Sequence, residues 1–314
     1  MPPVGTRPSP RPSVEHTCAA ILELLLPYRR AADPDAPAPV SAFPIQLRQL
    51  AGFVAAGDQI VFTLPGFPCK SPSPAKVLGH LPDEGERLSL TFLNELCAAV
   101  HQVYPPGARM VICSDGHIFG DLIRVPDHHI DAYSDELAAM IDREHLRHLS
   151  VFDLRDVLGD LPYDEKRARV HAQYAPTVEE LRAEVKADDA ALALYLGITR
   201  FLTDDTVDFE GTRSALQREC RQRAYGVIQR SRAWGDLIAE RHPRSVRLSI
   251  HPQRRGAAKF GIRLLDTKDA WTTPWHSVVV HRPDGVWELM RRSEAERLGR
   301  TVLRDGRPSH VETS

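Results

Sequence analysis

The chain has 314 residues, with 40 Lys and Arg against 42 Asp and Glu and a formal net charge of −2. This balance argues against a protein that coats nucleic acid or an anionic membrane through bulk positive charge. Hydrophobic residues make up 42% of the chain and charged residues 26%, which is the composition of a soluble globular protein with a large core.

The first half of the chain alternates predicted strands and helices. Residues 1–12 are rich in Pro, Ser and Arg, so we expect a flexible tail there, followed by a helix at 13–28 and a Pro/Ala-rich loop at 32–44. Apolar runs predict strands at 59–64, 109–113 and 148–152, and the spacing of apolar residues predicts helices at 86–104 and 127–146. This order predicts a parallel sheet with crossover helices.

The second half begins with a helical segment and ends in strands. Residues 152–240 are rich in Ala, Leu, Arg and Glu and are predicted to be mainly helical, in a position that suits a lid. Strand character returns at 245–250, 261–265, 277–280 and 286–290, where Asp284-Gly285 predicts a hairpin turn. A last helix is predicted at 293–298, with Ser293 as N-cap and Glu296 as its capping-box partner.

These elements predict a single α/β catalytic domain over residues 13–314. We expect a Rossmann-like parallel or mixed sheet flanked by helices, with a helical middle segment and a C-terminal β-rich part. The five cysteines form no Cys-x-x-Cys pair, and their odd number favours a reducing cytoplasm over a disulfide framework. No apolar run approaches the ~20 residues that span a bilayer, and residues 1–13 lack the apolar centre of a secretory signal.

Open α/β sheets bind ligands beyond the carboxyl ends of their strands, so the polar residues that follow predicted strands are the candidate site. The first group lies in Phe67-Pro-Cys-Lys-Ser-Pro-Ser-Pro-Ala-Lys76. Lys70, Ser71 and Lys76 on a loop stiffened by prolines suit a phosphate or carboxylate ligand. An ordinary surface loop explains the composition about equally well. Cys69 has no base beside it in the sequence, which favours a non-catalytic role.

A second group follows the strand at 109–113, and a third lies near the C-terminus. Asp115 comes directly after its strand and is either a general base or the cap of a following helix, and the sequence alone favours the cap. The third group consists of Ser249, His251, Gln253, Lys259, Trp275 and His276. Two histidines at strand ends beside a lysine favour a site of proton transfer, while Trp275 either packs against a ligand ring or fills the core.

Other clusters are weaker candidates. The stretches 127–131 and 145–148 contain metal-ligand residue types but lack the spacing of a metal motif, so no metal is expected. Five arginines between 218 and 232 form mostly a solvated helix face, from which Arg223 is the candidate for binding an anionic group.

Taken in order, several motifs resemble the isonitrile (isocyanide) synthases, also called the pyoverdine/dityrosine biosynthesis family. They are FPCKSPSPAKV at 67–77, PDEGERLSLTFLNEL at 82–96, YPPGARMVICSDGHIFGD at 104–121, RLSIHPQ at 247–253, KFGIRLL at 259–265, TPWHSVVV at 273–280 and DGVWELM at 284–290. Together they span residues from about 55 to 300. One departure is Ser277, where the family commonly has Gly after TPWH; it leaves His276 in place.

The resemblance implies a reaction between an L-amino acid, usually tyrosine or tryptophan, and ribulose 5-phosphate in secondary metabolism. The amino nitrogen is kept, and the ketone carbon of the sugar becomes the isonitrile carbon. Carbon–carbon bonds break on both sides of that carbon, which makes the enzyme a lyase. No metal or organic cofactor, nucleic acid or membrane partner is implied, and a downstream oxygenase is an expected partner in the pathway.

The resemblance also implies roles for the candidate residues. We expect Lys70, Lys76 and Ser71 to hold the sugar phosphate. Asp115 and His276 would shuttle protons, and His251 and Lys259 would polarise the ketone or bind an oxyanion. Further substrate contacts are expected from Ser249, Gln253, Trp275 and Arg223. Lys70 or Lys259 is an alternative as a Schiff base with the ketone, although the amine substrate makes an enzyme imine unnecessary.

Two competing functions fit part of the pattern. A sugar-phosphate lyase or aldolase that acts without an amino acid explains the lysines and the acid/base groups at strand ends, but not the full set of ordered motifs. A non-catalytic sugar-phosphate-binding homologue would keep the fold, but the intact Asp115, His251, Lys259 and His276 argue against it.

Overall fold

The computed structural model describes residues 13–32, 38–268 and 272–313. The predicted tail at 1–12 and residues 33–37 of the predicted loop lie outside this part of the chain. The helices are α1 (Val14–Leu25), α2 (Pro44–Ala56), α3 (Glu84–Val103), α4 (Gly116–Ile123), α5 (Asp127–Arg143), α6 (Leu154–Leu158), α7 (Tyr163–Tyr174), α8 (Val178–Ala187), α9 (Asp189–Asp205), α10 (Arg213–Arg241) and α11 (Arg292–Ala295). The strands are β1 (Ile60–Pro65), β2 (Ala108–Cys113), β3 (Leu149–Phe152), β4 (Val246–Ser249), β5 (Phe260–Gly261), β6 (Asp266–Thr267), β7 (Val278–His281), β8 (Trp287–Met290), β9 (Gly299–Arg304) and β10 (Arg307–Thr313).

The main sheet has five parallel strands in the order β3-β2-β1-β4-β5, which confirms the predicted fold. Its two faces carry separate cores. Along β2, Met110 and Ile112 join the core under α3 and α5, whereas Val111 and Cys113 join the core under α10. This alternation is what a strand buried on both faces requires.

The chain builds β1, β2 and β3 in one direction and then returns to place β4 on the other side of β1. The boundary between β1 and β4 is therefore a topological switch point, where the loops after two neighbouring strands separate and leave a crevice. The candidate site lies at this end of the sheet, because the residues that follow β1, β2 and β4 all meet there.

A second sheet follows in the order β6-β8-β7-β10-β9. Strands β7 and β8 form the predicted hairpin, with Gly285 at φ +82° in its turn. The hairpin of β9 and β10 was not predicted from the sequence. A small core of Val278, Val280, Val311 and Ala295 holds α11 against this sheet.

Two predicted elements in the C-terminal half differ in their bounds from those in the structure. The strand predicted at 261–265 is only Phe260–Gly261, because the chain then pairs with the segment after α1, where Ile262 bridges Arg29 and the Arg263 amide donates to the Tyr28 carbonyl at 2.8 Å. The last helix begins at Arg292 with Arg291 as its N-cap, so Ser293 is not the cap. The amides of Arg292 and Ser293 donate instead to the carbonyls of Lys76 and Ala75, which satisfies the helix N-terminus without a side-chain cap.

Helices α6 to α10 fill the chain between β3 and β4, where the helical segment was predicted. None of the helices in the described part of the chain is long and apolar enough to cross a membrane.

Candidate active site

The loop that follows β1 is tied to two other parts of the molecule. The Ser71 amide donates a hydrogen bond of 2.8 Å to the Trp275 carbonyl, and the Ser114 hydroxyl donates one of 3.0 Å to the Phe67 carbonyl. These bonds join the loop to the segment that carries His276 and to the end of β2, which carries Asp115. The three groups of residues singled out in the sequence therefore meet at one place.

Asp115 is not the helix cap that the sequence favours. It precedes α4, but its backbone (φ −112°, ψ 10°) is not the extended conformation of an N-cap, and its side chain makes no capping hydrogen bond. Its Oδ1 atom is buried and has no hydrogen-bond partner among the described residues. A carboxylate left free in this way is available for proton transfer.

Gly116 explains why the end of β2 lies so close to the loop after β1. A Cβ atom at Gly116 would lie 2.0 Å from the Pro68 carbonyl oxygen and 2.6 Å from a methyl group of Ile130. Only glycine permits this approach. The close approach places Asp115 near Cys69, whose pKa is raised by burial and, in second place, by the charge of Asp115.

Asp115 and Lys259 form an acid/base pair whose ionisation is shifted toward neutrality. Burial raises the pKa of Asp115 to about 7, against the opposing charge of Lys259. Burial also lowers the pKa of Lys259, helped by the neighbouring Arg247. Lys259 is partly buried just before β5, and it makes no hydrogen bond or ion pair with any residue in the described ranges. Groups with such shifted pKa values are common in active sites.

His251 and His276 complete this cluster. Burial lowers the pKa of each to about 4, so both rings are neutral at pH 7. The His251 side chain nevertheless keeps access to solvent. The Nδ1 atom of His276 hydrogen-bonds with Thr273 Oγ1 at 3.0 Å, which orients the ring.

The four predicted catalytic residues are electrostatically connected. The charge of Lys259 acts on both Asp115 and His251, and His251 in its protonated form would disfavour protonation of His276. We call Asp115, His251, Lys259 and His276 the switch-point cluster. It can accept, hold and donate protons near neutral pH at the carboxyl end of the main sheet.

Lys70 has a different environment from the one expected of a phosphate ligand. Its Nζ atom lies 2.7 Å from carboxylate oxygens of both Asp83 and Glu86 and 3.1 Å from the Pro274 carbonyl, and its side chain is fully buried. Burial alone would lower the pKa of Lys70, but the two carboxylates raise it. All three N–H groups are thus occupied. Lys70 joins the loop after β1 to the N-terminus of α3 and to the segment just before His276.

Ser71 and Lys76 both bind the carboxylate of Asp205. The Ser71 hydroxyl donates a hydrogen bond of 3.0 Å to Asp205 Oδ2, and Lys76 Nζ pairs with Oδ1 of the same carboxylate. Asp205 ends α9, and Phe201 lies one turn earlier with its ring 4.8 Å from His276 and 5.2 Å from Lys76 Nζ. Asp205 and Phe201 could not be found from the sequence, because no local motif marks the point where a helix end meets a distant loop.

The remaining candidates support the site from outside the cluster. The Ser249 hydroxyl accepts hydrogen bonds from the His251 amide at 3.1 Å and from Gln253 Nε2 at 3.3 Å, which shapes the turn after β4. Trp275 is buried, with its ring centroid 5.0 Å from that of Phe67, so it fills the core. Arg223 donates to the Leu122 carbonyl and to Thr206 and connects helices away from the cluster.

Metal ligation has no candidate in the part of the chain that the structure describes, since no three His, Cys, Asp or Glu side chains there are grouped to hold an ion.

Comparison with known proteins places the chain among characterised relatives. The profile of a family described as "Pyoverdine/dityrosine biosynthesis protein" matches residues 50–302. The L-tyrosine isonitrile synthase of Pseudomonas aeruginosa is 47% identical over 273 residues, which cover 85% of this chain and 83% of that protein. The L-tryptophan isonitrile synthase AmbI2 of Fischerella ambigua is 42% identical over 268 residues, covering 84% of this chain and 81% of the relative.

The fold has a solved counterpart. The crystal structure of the PvcA protein from Pseudomonas aeruginosa superposes with a TM-score of 0.88 at 45% sequence identity, over 94% of this chain and 99% of that one. The parallel sheet, the second sheet and the helical segment described above are therefore shared with a protein of known structure.

Proposed function

Because the chain belongs to the pyoverdine/dityrosine biosynthesis family, we propose that it is an isonitrile synthase. It converts the amino group of an L-amino acid, tyrosine or tryptophan, to an isonitrile and takes the new carbon from ribulose 5-phosphate. The observation that carries this proposal is the switch-point cluster, which unites a free carboxylate, an unpaired lysine and two neutral histidines in a chain closely similar to isonitrile synthases.

The proposed reaction requires condensation of the amino acid with the sugar at its ketone carbon. The α-ammonium group must lose a proton before it attacks, and the Asp115 carboxylate, with a pKa of about 7, accepts it at neutral pH. Water must leave from the same carbon, and Asp115 returns its proton to the departing hydroxyl group. One group that performs both transfers needs a pKa near the working pH.

The histidines act on the sugar oxygens. His276 and His251 are neutral at pH 7 because burial lowers the pKa of each, so each ring can donate one hydrogen bond and accept another. In this proposal they stabilise the oxyanion that forms at the ketone and relay protons during the later carbon–carbon bond cleavages. Thr273 fixes the His276 ring for that purpose.

The phosphate group replaces Asp205 at the loop after β1. Ser71 and Lys76 already hold a carboxylate in the geometry described above, and a phosphate offers the same acceptors with greater charge. Binding of the sugar would then release the end of α9. Lys70 takes no direct part, since its three N–H groups hold the loop in place.

The cellular setting follows from the same proposal. Small-molecule substrates are the partners of this step, and a downstream oxygenase would consume the isonitrile. All five cysteines are free and buried thiols, which supports a cytoplasmic location.

A mass-spectrometric assay tests the proposal. Purified protein is incubated with ribulose 5-phosphate and a panel of L-amino acids, and the products are identified by mass. Formation of an isonitrile acid from tyrosine or tryptophan is the expected result. Consumption of the sugar without any amino acid would point to a sugar-phosphate lyase and contradict the proposal.

A further inference from the structure

The whole sequence contains six lysines, and the structure separates them by environment. Lys70 is enclosed by two carboxylates and a carbonyl, and Lys76 is paired with Asp205. Lys166 is buried with its Nζ atom 4.7 Å from the Tyr163 ring centroid. Lys186 and Lys268 are exposed on the surface. Lys259 is the remaining amine, and it lies in the switch-point cluster.

The surroundings of Lys259 suit a nucleophile better than a structural cation. Within the described ranges its Nζ atom makes no hydrogen bond or ion pair, although Arg247 of the adjacent strand and Asp115 are near enough to influence its charge. A lysine held by carboxylates stays protonated, whereas one that is partly buried beside another cation loses its proton more readily. The free Asp115 Oδ1 atom can receive that proton.

We propose that Lys259 forms a Schiff base with the ketone of ribulose 5-phosphate before the amino acid reacts. This inference rests on the proposed function, because it assigns the first covalent step on the same sugar substrate. It gives the enzyme a way to hold the sugar in an activated form, since an iminium carbon accepts a nucleophile more readily than a ketone carbon does.

The step balances without any oxidant or reductant. Asp115 takes a proton from the Lys259 ammonium group, and the Nζ lone pair attacks the ketone carbon to form a carbinolamine. Asp115 returns the proton to the hydroxyl group, which leaves as water, and a protonated imine remains. The amino group of the amino acid then adds to the imine carbon, and Lys259 departs as the free amine. The product of this exchange is the imine between the amino acid and the sugar.

Borohydride trapping tests the inference. The full-length protein is incubated with ribulose 5-phosphate alone, reduced with borohydride and analysed by mass spectrometry. We expect a covalent increase of one reduced pentose phosphate per chain. Trypsin should then release residues 256–263 as one peptide that carries the adduct, because a modified Lys259 resists cleavage. Protein reduced without the sugar provides the blank.

Two variants serve as controls. Lys259→Arg keeps the charge but cannot form an imine, so it should lose the adduct and the isonitrile product while still binding ribulose 5-phosphate in a calorimetric titration. Lys268→Arg, at an exposed position of the same segment, should keep both. Borohydride trapping of the wild-type protein shows whether Lys259 forms an imine even if Lys259→Arg fails to fold.

The outcomes separate this inference from the proposed function. If the wild-type protein makes the isonitrile but gives no adduct, or gives one on another lysine, the role of Lys259 is wrong and the function stands. An adduct on Lys259 in a protein that makes no isonitrile would support the inference and contradict the proposed function.

Discussion

Asp205 and Ser71 lie 134 positions apart in the chain and are joined by a hydrogen bond of 3.0 Å from the serine hydroxyl to the carboxylate. Lys76 pairs with the other oxygen of the same carboxylate, and Phe201 packs against His276. The end of α9 therefore forms one wall of the candidate site. The helical segment between β3 and β4 therefore contributes residues to the candidate site.

Replacing Asp205 should weaken the fold and strengthen anion binding. In Asp205→Asn the buried Lys76 loses its counter-charge, which is expected to lower the free energy of unfolding by about 3 kcal/mol. Inorganic phosphate should restore stability by taking the vacated position, so it should raise the Tm of the variant more than that of the wild type. Urea unfolding and thermal denaturation with and without phosphate measure both effects.

The neighbouring Asp204 provides the control for this variant. Asp204 is paired at 3.3 Å with Arg291 on the surface, so Asp204→Asn should change stability by no more than about 1 kcal/mol and leave the response to phosphate unchanged. A phosphate response that is equal in Asp205→Asn and the wild type would refute the exchange of anions at Lys76.

Gly116 should be intolerant of even the smallest side chain. In Gly116→Ala the new methyl group would overlap the Pro68 carbonyl, at 2.0 Å, and push the loop after β1 away from Asp115. We expect a loss of stability of about 1–3 kcal/mol together with a large loss of activity, although no functional group is removed. Gly79→Ala is the matched control, because a Cβ atom there has no neighbour within 4 Å. Equal behaviour of the two variants would contradict the close approach.

Asp115 should give the reaction rate a pH dependence centred near neutrality. Burial raises its pKa to about 7, and the group must be ionised to accept a proton, so the rate should rise as pH increases through that value. His251 and His276 stay neutral over this range because their pKa values are about 4. The measurement is kcat/KM between pH 5.5 and 8.5 for the wild type and Asp115→Asn.

The variant isolates Asp115 from the titrations of the substrates, which affect both proteins equally. Asp115→Asn should react roughly 10²–10⁴ times more slowly and should lack the rise near pH 7. A variant that keeps the same rise would show that another group controls it.

The Asp115 carboxylate should also lower the free energy of unfolding at alkaline pH. Its pKa is about 7 in the folded protein, against an ordinary value of 3.8, so the folded state binds a proton that the unfolded chain releases between these values. Stability contributed by this group therefore falls as pH rises through that window. The free energy of unfolding of Asp115→Asn minus that of the wild type should be larger at pH 8 than at pH 4. Urea unfolding of both proteins at the two pH values measures this difference. A difference that does not vary with pH would argue against a buried, proton-binding Asp115.

Sequence patterns predicted the parallel sheet and the edge of that sheet at which the candidate residues meet. The apolar runs of β1, β2 and β4 identify parallel strands, and the carboxyl ends of such strands meet at one edge. Asp115, His251 and the loop from Phe67 are therefore brought together by topology alone. Lys259 and His276 were also selected because they lie next to predicted strands, whereas the roles expected of them followed only after the family resemblance.

The errors come from contacts between distant segments. An Asp before a helix is usually its cap, but the packing of Pro68 on Gly116 sets a backbone at Asp115 that does not allow capping. Lys70 was expected to bind an anion of the substrate because its two carboxylate partners, Asp83 and Glu86, lie in a different motif. Asp205 carries no sequence signal at all, since its role depends on where α9 ends relative to a loop 129 residues earlier at Lys76.

The most direct test of the proposed function is the fate of the ketone carbon of ribulose 5-phosphate. The protein is incubated with sugar labelled with ¹³C at that carbon and with L-tyrosine or L-tryptophan, and the product is examined by mass spectrometry and carbon NMR. We expect one labelled carbon per product, in the isonitrile group attached to the amino acid nitrogen. An isonitrile without the label, or labelled sugar products that contain no amino acid nitrogen, would contradict it.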